Sequence, residues 1–374
     1  MVDAAPASPS PAQVARQMWT LFEPVHIVTY FSPEARAAFE AAGLRGFWRG
    51  YFAGRAAPLG PAEAAPVTGA FFSFAAPMVT RALPAVWQLA APAQALTART
   101  AGAVAALRRL APQAWPPEPA PAHAAPAQAA PAPASTAPAS TAGTGTTGTG
   151  TTGTGTTGAG PGQAGTAHAR TAASQTPEPG TAQAGTAHGG TAQAVAEQAV
   201  AEAAGLLAAA TDGLDCAGRV LAAANAALPP ADDPFARLWQ AATLLREHRG
   251  DGHTAALVAA GLDGCEALAL RAGLDLSREL LQPIRGWTDA EWDQAVRRLG
   301  RRGWLDPAGQ ATPAGQAAYQ AVEDATDLAA ARPWQLLGPA RTQRLARLLY
   351  PLATASAAGL PFPNPVGLPA PVPG

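Results

Sequence analysis

The sequence predicts a mainly α-helical protein, with a helical N-terminal domain and a second helical domain that carries a short β-wing. Apolar residues recur every three or four positions in both halves of the chain, and helix-capping residues precede several of these stretches. A low-complexity stretch separates the halves. The predicted organisation is therefore residues 1–112, a linker at 113–195, residues 196–359 and a tail at 360–374.

The amino-acid composition limits the classes of protein to which this chain can belong. The 374 residues are 48% hydrophobic, enough for two cores, and contain no lysine. The net charge of −1 conceals nine arginines against five acids in 1–112 and fifteen against nineteen in 196–374. Two cysteines give no disulfide framework. With neither a secretory signal nor an apolar run of about 20 residues, we expect a cytoplasmic protein without a membrane span.

The first domain begins with two predicted helices. In the segment from Pro11, apolar residues at helical spacing predict a helix that Pro24 bends or splits: Val14, Met18, Leu21, Phe22 and Val25. Ser32 then supplies an N-cap, and Gly43 ends the second helix. A last helix is predicted near residues 93–110.

Aromatic residues are concentrated between these helices. Thirteen of the 23 lie between Trp19 and Trp87, a density that suits either a helical core or the lining of an apolar cavity. The linker that follows repeats APAST, GTGTT and AGTAH. Such a composition cannot bury enough apolar surface to fold, so we expect disorder there, and its histidines are too isolated to form a metal site.

The second domain resumes with Ala-rich helical runs and a turn at 229–234. A helix follows whose buried face is predicted to contain Leu238, Ala241, Ala242, Leu244 and Leu245, and which we expect to end near Gly250. The tail, LPFPNPVGLPAPVPG, is predicted to be extended.

The stretch from Phe235 to Gln310 is the one part from which a function can be argued. Thr288 and Glu291 form a capping box, and Trp292, Val296 and Leu299 mark one face of the next helix. The sequence WLDPAGQAT then suggests a small hairpin. Helix, turn, helix and hairpin in this order predict a winged helix-turn-helix.

Arginines on the other faces of that helix are the candidate DNA contacts: Arg297, Arg298, Arg301 and Arg302. Asp289, Glu291, Asp293 and Asp306 surround them, however, and a DNA-binding surface is usually clearly basic. A solvated arginine face is the alternative interpretation. A homodimer would concentrate the arginines on one surface.

The segment RGDGH, residues 249–253, is the other local feature. The simpler interpretation is a turn, with Gly250 ending one helix and Asp251 capping the next. The sharper one places histidines in a pocket, although His248 and His253 lack the spacing of a helical zinc site. The pocket candidates are His26, Tyr30, Trp48, Tyr51, Phe72, His248, Asp251 and His253. No catalytic residue, cofactor or metal is identified.

Three stretches resemble the actinobacterial SalK-like helix-turn-helix family, whose members are described as MarR-like regulators. They are MWTLFEPVHIVTYFSPEARAAFEAAGLRGFWRGYFAGRAAPLG, LWQAATLLREHRGDGHTAALVAAGLDGCEALAL and LPFPNPVGLP. The resemblance covers roughly 12–112 and 196–369, and it implies a fold and a regulator's role without catalytic residues. EPVH and RGDGH are family features of unknown role, and the long linker departs from the family pattern.

Three functions remain open. The first is a transcriptional regulator that binds DNA through residues 289–304 and the wing and senses a small apolar molecule in the aromatic domain. The second is a winged-helix fold reused as a small-molecule-binding protein or enzyme, with His26, Asp251 and His253 in one pocket. The third is a protein-interaction scaffold, suggested by the linker and the proline-rich tail.

Overall fold

The structure is a computed structural model, and it describes residues 8–116 and 182–360 together with Asn364, Leu368 and Pro371. Side chains are described from residue 192 onward in the second segment. The described residues 8–116 and 187–360 belong to one compact unit. Most of the predicted linker and most of the tail lie outside the described residues, so everything below concerns this unit.

The N-terminal segment contains six α-helices, and two short 3₁₀ turns at Ala57–Leu59 and Ala85–Gln88 connect some of them. The helices are α1 (Pro11–Phe31), α2 (Pro33–Ala41), α3 (Phe47–Ala56), α4 (Ala64–Phe71), α5 (Ala76–Thr80) and α6 (Pro92–Ala114). Pro24 lies inside α1, which continues through it. Ser32 caps α2 as predicted, since its hydroxyl accepts a hydrogen bond from the Ala35 amide at 3.1 Å.

The C-terminal segment is also helical. Its helices are α7 (Ala182–Thr211), α8 (Val220–Ala226), α9 (Pro234–Ala259), α10 (Gly264–Ala272), α11 (Arg278–Arg285), α12 (Asp289–Arg301), α13 (Pro313–Ala329), α14 (Arg332–Leu337) and α15 (Pro339–Ala357). Helix α7 therefore begins within the stretch predicted to be linker. No helix of the described residues is long and apolar enough to cross a membrane.

The two segments share one core. Helices α1 and α6 pack with α7, α9, α14 and α15, and the side chains of Leu21, Leu107, Leu207, Leu238 and Leu349 are completely buried there. Burial of one such side chain stabilises a fold by about 1.5–3 kcal/mol. A second core collects the predicted aromatic residues around Phe52, and a third lies beneath α10, α11 and α12.

Helix α9 passes straight through RGDGH, so the predicted turn and helix end at Gly250 are wrong. Gly250 and Gly252 are helical, although glycine disfavours a helix interior by about 1 kcal/mol per residue. Packing outweighs this preference, since α9 lies among α1, α6, α8 and α13. Asp251 does cap a helix, but it caps α8: its carboxylate accepts the Leu221 and Ala222 amides, both at 2.9 Å.

The helix-turn-helix consists of α11, a turn at 286–288 and α12. Gly286 ends α11 with φ of +76°, a left-handed conformation that favours glycine. Thr288 and Glu291 form the predicted capping box at the start of α12. The arrangement places the Trp292, Ala295 and Leu299 side chains in the third core and leaves the opposite face of α12 exposed.

The predicted β-wing is absent as a pair of strands from the part of the chain that the structure describes. Residues 304–312 form a turn closed by a single antiparallel bridge between Leu305 and Ala311. The Asp306 carboxylate accepts the Ala308 and Gln310 amides, both at 2.9 Å. Because these amides donate to the Asp306 side chain, they do not donate to backbone carbonyls across the turn, and the single bridge does not grow into a pair of strands.

Candidate functional site

The four arginines predicted to contact DNA divide into two pairs. Arg297 and Arg301 are exposed on α12 and form no hydrogen bond or ion pair with any other described residue. Arg298 forms ion pairs with Glu266 at 2.7 Å and with Asp263. Arg302 donates to the Ala260 and Gly261 carbonyls at 2.8 and 2.9 Å, and its guanidinium lies 3.6 Å from the Trp304 ring centroid. Only the first pair is available without breaking protein contacts.

The N-terminal half of α12 is acidic. Arg278 on α11 donates to Asp289 at 2.8 Å and to Asp293 at 2.9 Å, which ties the start of α12 to the preceding helix. Carboxylates at a helix N-terminus interact favourably with the helix dipole, so these acids also have a structural role. Free positive charge on α12 is therefore confined to its C-terminal half.

A cavity of about 200 Å³ lies behind the helix-turn-helix, between residues 70–74 and helices α9, α10, α11 and α13. Its walls combine aromatic and aliphatic side chains, including Phe71, Phe72, Leu257, Leu268 and Leu281. Four arginines also line it: Arg55, Arg246, Arg271 and Arg285. None of the described residues that line the cavity is Asp or Glu.

Carboxylates that lie outside this lining compensate most of the positive charge. Glu247 binds Arg55 at 3.0 Å and Arg246 at 2.9 Å, and Glu23 lies 3.4 Å from Arg246. Arg271 pairs with Asp275. Three carboxylates thus form ion pairs with Arg55, Arg246 and Arg271. Burial and the neighbouring Arg55 and Arg246 lower the pKa of Arg285.

Tyr51 is held among these arginines. Its hydroxyl oxygen accepts a hydrogen bond from Arg55 at 3.2 Å, and its side chain is also hydrogen-bonded to Arg285. Burial raises the pKa of this phenol, but Arg55, Arg285 and Arg246 outweigh burial and the net pKa shift is downward. The electrostatic field at the Tyr51 hydroxyl therefore favours negative charge.

Residues 71–74 form the aromatic wall of the cavity. This wall has a strained backbone at one residue, and hydrogen bonds connect it and the following residue to the helix-turn-helix. Phe72 has φ of +38°, a conformation that costs a bulky residue of order 1–3 kcal/mol. The Trp287 indole donates to the Ser73 carbonyl, and the Ala75 amide donates to the Arg285 carbonyl, both at 2.9 Å. A displacement of this wall would therefore also displace the turn before α12.

The predicted pocket residues are distributed over several places. Tyr51, Phe72 and His253 line the cavity just described. His26 and Tyr30 line a much smaller one, of about 10 Å³, beside Thr243 and Glu247. Trp48 packs against the aromatic core, and Asp251 caps α8. The structure therefore does not bring His26, Asp251 and His253 together in one of these cavities.

The pKa of each histidine whose side chain is described is lowered. Burial lowers the pKa of His26 well below its ordinary value. Burial also lowers the pKa of His248 and His253, each to about 4. The ring Nδ1 atoms of His26 and His253 lie 3.0 Å from the Thr243 hydroxyl and 2.9 Å from the Thr326 hydroxyl. Among the described residues, no group of His, Cys, Asp and Glu is arranged to hold a metal ion.

A larger cavity, of about 1100 Å³, lies between α1, α9 and α13. Several of its charged residues form ion pairs: Asp327 binds Arg16 at 2.7 Å and Arg249 at 2.8 Å, and Glu323 also pairs with Arg16. Sequence reasoning missed both this network and the arginines of the smaller cavity. The available signal was the run Arg246–Arg249, charged residues within a helix that is apolar on several sides.

Comparison with known proteins gives a family. The model of a helix-turn-helix family matches residues 15–144 and 162–363, which include both segments of the core and all of α10, α11 and α12. No curated protein and no solved structure matches the chain. The family match covers more than half of the chain and agrees with the observed α11, turn and α12, and the chain therefore belongs to this helix-turn-helix family.

Proposed function

We propose that this chain is a DNA-binding transcriptional regulator that uses the C-terminal half of α12. The observation that supports this most is that Arg297 and Arg301 are exposed and have no partner among the described residues, on the helix that follows the turn of a helix-turn-helix. Family membership supports the same proposal. The finer assignment, a MarR-like regulator of the SalK-like group, is part of this proposal.

The charge distribution determines which end of α12 would contact DNA. Recognition helices commonly present their N-terminal residues to the bases. Here Asp289 and Asp293 occupy that end, and carboxylates beside phosphates are repelled. The proposed contacts are therefore phosphate contacts from Arg297 and Arg301, and a homodimer would double their number.

The experiment is a titration of DNA binding against salt concentration. Each arginine that neutralises a phosphate contributes about 0.9 to the slope of log K against log salt. We expect Arg297→Ala with Arg301→Ala to weaken binding and reduce the slope by about 2 per protomer. A genomic fragment library supplies the DNA.

Arg81→Ala with Arg332→Ala is the matched control, since both arginines are exposed and lie outside α12. The proposal fails if the wild-type chain has no salt-sensitive affinity for any fragment. It also fails if the α12 double variant and the control double variant have the same slope.

A second candidate is a ligand-binding protein that has kept the helix-turn-helix fold without binding DNA. It is supported by the balance of charge in residues 261–312, seven arginines against eight acids, and by the arginine-lined cavity. Complete absence of DNA binding, together with binding of a small molecule, would favour this candidate over the regulator.

A further inference from the structure

We propose that two neighbouring cavities beside α1 together bind a small neutral aromatic ketone, with its carbonyl oxygen at His26. The inner cavity is the one of about 10 Å³ beside Thr243 and Glu247. The outer cavity, of about 310 Å³, lies between α1, α2 and α3. Such a site goes beyond the proposed function, since it does not depend on DNA binding.

Two buried nitrogen atoms at the inner cavity have no hydrogen-bond partner among the described residues. They are His26 Nε2, on a residue that is 1% exposed, and Arg99 Nε, on a residue that is 6% exposed. Both side chains line the inner cavity. A buried polar group without a partner destabilises a fold, so a ligand atom that pairs with these groups is bound favourably.

The hydrogen bond on the other side of the His26 ring makes Nε2 a donor. His26 Nδ1 lies 3.0 Å from the Thr243 hydroxyl. That hydroxyl is buried and has no other hydrogen bond among the described residues, so it donates to Nδ1 and the ring hydrogen lies on Nε2. Arg99 Nε is a donor as well. The matching ligand atom is therefore an acceptor, such as a carbonyl oxygen.

The charged residues of the two cavities favour a neutral ligand. Arg36 and Glu40 are the charged residues in the lining of the outer cavity. Arg99 and Glu247 are those of the inner cavity. Tyr30 lines both cavities, and burial raises its pKa, so its hydroxyl keeps its proton. Since each lining contains one arginine and one glutamate, neither favours an anion or a cation.

The outer cavity suits an aromatic ring. Phe39, Leu44, Phe47 and Tyr51 line it together with Tyr30. The Phe47 and Tyr51 rings are stacked with centroids 6.0 Å apart, and the Tyr30 and Tyr51 centroids lie 5.0 Å apart. A volume of about 310 Å³ equals the liquid volume of roughly ten waters. One ring or two fused rings therefore fit there, in contact with aromatic side chains.

Three side chains line both cavities and separate them: Thr29, Tyr30 and Phe39. The Phe39 ring packs directly against two glycines of α3. A Cβ at Gly50 would lie 3.0 Å from this ring, and one at Gly54 would lie 2.7 Å from it. Rotation of Tyr30 or Phe39 would join the cavities, and the carbonyl group of a ring in the outer cavity would then reach the donors of the inner one.

The test is a ligand-observed NMR titration of the full chain with acetophenone and with ethylbenzene, which has nearly the same shape without the oxygen. We expect acetophenone to bind about threefold to tenfold more tightly, the effect of one hydrogen bond between neutral groups. His26→Phe should remove most of this preference. The variant keeps an aromatic ring against Trp239, whose ring is stacked on that of His26 with centroids 6.2 Å apart.

A second variant keeps the proposal falsifiable if His26→Phe does not fold. Phe47 is 45% exposed and lines the outer cavity, so Phe47→Ala should fold and should weaken binding of both probes by at least about threefold. Leu89→Ala is the matched control, because Leu89 is 50% exposed and lines neither cavity. It should bind both probes as the wild type does.

The proposal is overturned by any of four results. Two concern the wild type: no saturable binding of acetophenone, or equal binding of acetophenone and ethylbenzene, which would mean that the inner cavity holds only a water molecule. The other two are an unchanged preference in folded His26→Phe and an unchanged affinity in Phe47→Ala. Failure of the DNA proposal is separate, because Arg297→Ala with Arg301→Ala should lose DNA affinity and keep acetophenone binding.

Discussion

At the scale of single residues, several arginines of this chain lie partly or fully buried and form ion pairs with a few buried carboxylates. Glu247 is 2% exposed and bridges Arg55 and Arg246, so its removal would leave the partly buried Arg55 without its ion-pair partner and Arg246 with Glu23 alone. Glu323 has a similar role at the larger cavity, between Arg16 on α1 and Arg249 on α9. Such groups link the stability of the fold to pH.

Glu323 should make the fold less stable in acid. Burial raises its pKa, but His253, Arg16 and Arg249 outweigh burial and lower the pKa from 4.5 to about 2. The unfolded chain therefore binds a proton at higher pH than the folded chain. This contribution, about 3 kcal/mol, is complete above pH 4.5 and is lost as the pH falls toward 2.

The measurement is urea unfolding of the wild type and of Glu323→Gln at several values between about pH 6 and about pH 3. The variant should be less stable at pH 6 and should lose less stability on acidification. Glu40→Gln, which removes an exposed carboxylate from α2, is the matched control. Parallel pH profiles for wild type and Glu323→Gln would contradict the assignment.

At the scale of elements, capping residues in the sequence correctly predicted where α2 and α12 begin. The glycines of RGDGH led to a wrong prediction for the interior of α9. Ser32 and Thr288 cap their helices because the hydrogen bonds involved span only three residues. RGDGH was predicted to be a turn because glycine disfavours helices, yet α9 is surrounded by four other helices. The wing was predicted from WLDPAGQAT, but Asp306 takes the amides that a hairpin would need.

Alanine substitutions at the two glycines of α9 should have opposite effects. At Gly250 an added Cβ would meet only the Glu247 carboxylate, at 3.9 Å, so Gly250→Ala should stabilise the fold by about 0.5–1 kcal/mol. At Gly252 the Cβ would lie 2.6 Å from the Arg219 Nη1 atom, whose guanidinium donates to the His248 and Ala329 carbonyls. Gly252→Ala should therefore destabilise by about 1–3 kcal/mol.

The free energies of unfolding of both variants, measured in urea, test the continuity of α9. A turn at RGDGH that held either glycine at positive φ would make alanine unfavourable there. Destabilisation by Gly250→Ala comparable to that by Gly252→Ala would therefore argue for the turn and against the continuous helix.

At the scale of the whole molecule, the sequence predicted most helices and the helix-turn-helix, but it did not reveal how the segments combine. The predicted boundaries at 112 and 196 follow composition, which records where the chain becomes repetitive. The shared core depends on contacts such as Trp239 with His26, whose bond at 3.1 Å joins residues 213 positions apart. The arginines of the cavity were not predicted because their contacts are also distant in sequence: Arg55 and Glu247 are separated by 192 positions.

A shared core predicts that residues 1–117 and 187–374 unfold in one transition. Leu107 on α6 and Leu349 on α15 are completely buried in that core, so Leu107→Ala and Leu349→Ala should each destabilise by about 2–5 kcal/mol. Both substitutions should shift the same unfolding transition, whether it is followed by tryptophan fluorescence or by helical circular dichroism. Leu328→Ala, at a position 66% exposed, is the control and should change stability by less than about 0.5 kcal/mol. Two resolved transitions, with Leu107→Ala moving one and Leu349→Ala the other, would instead establish two independent domains on either side of the repetitive stretch.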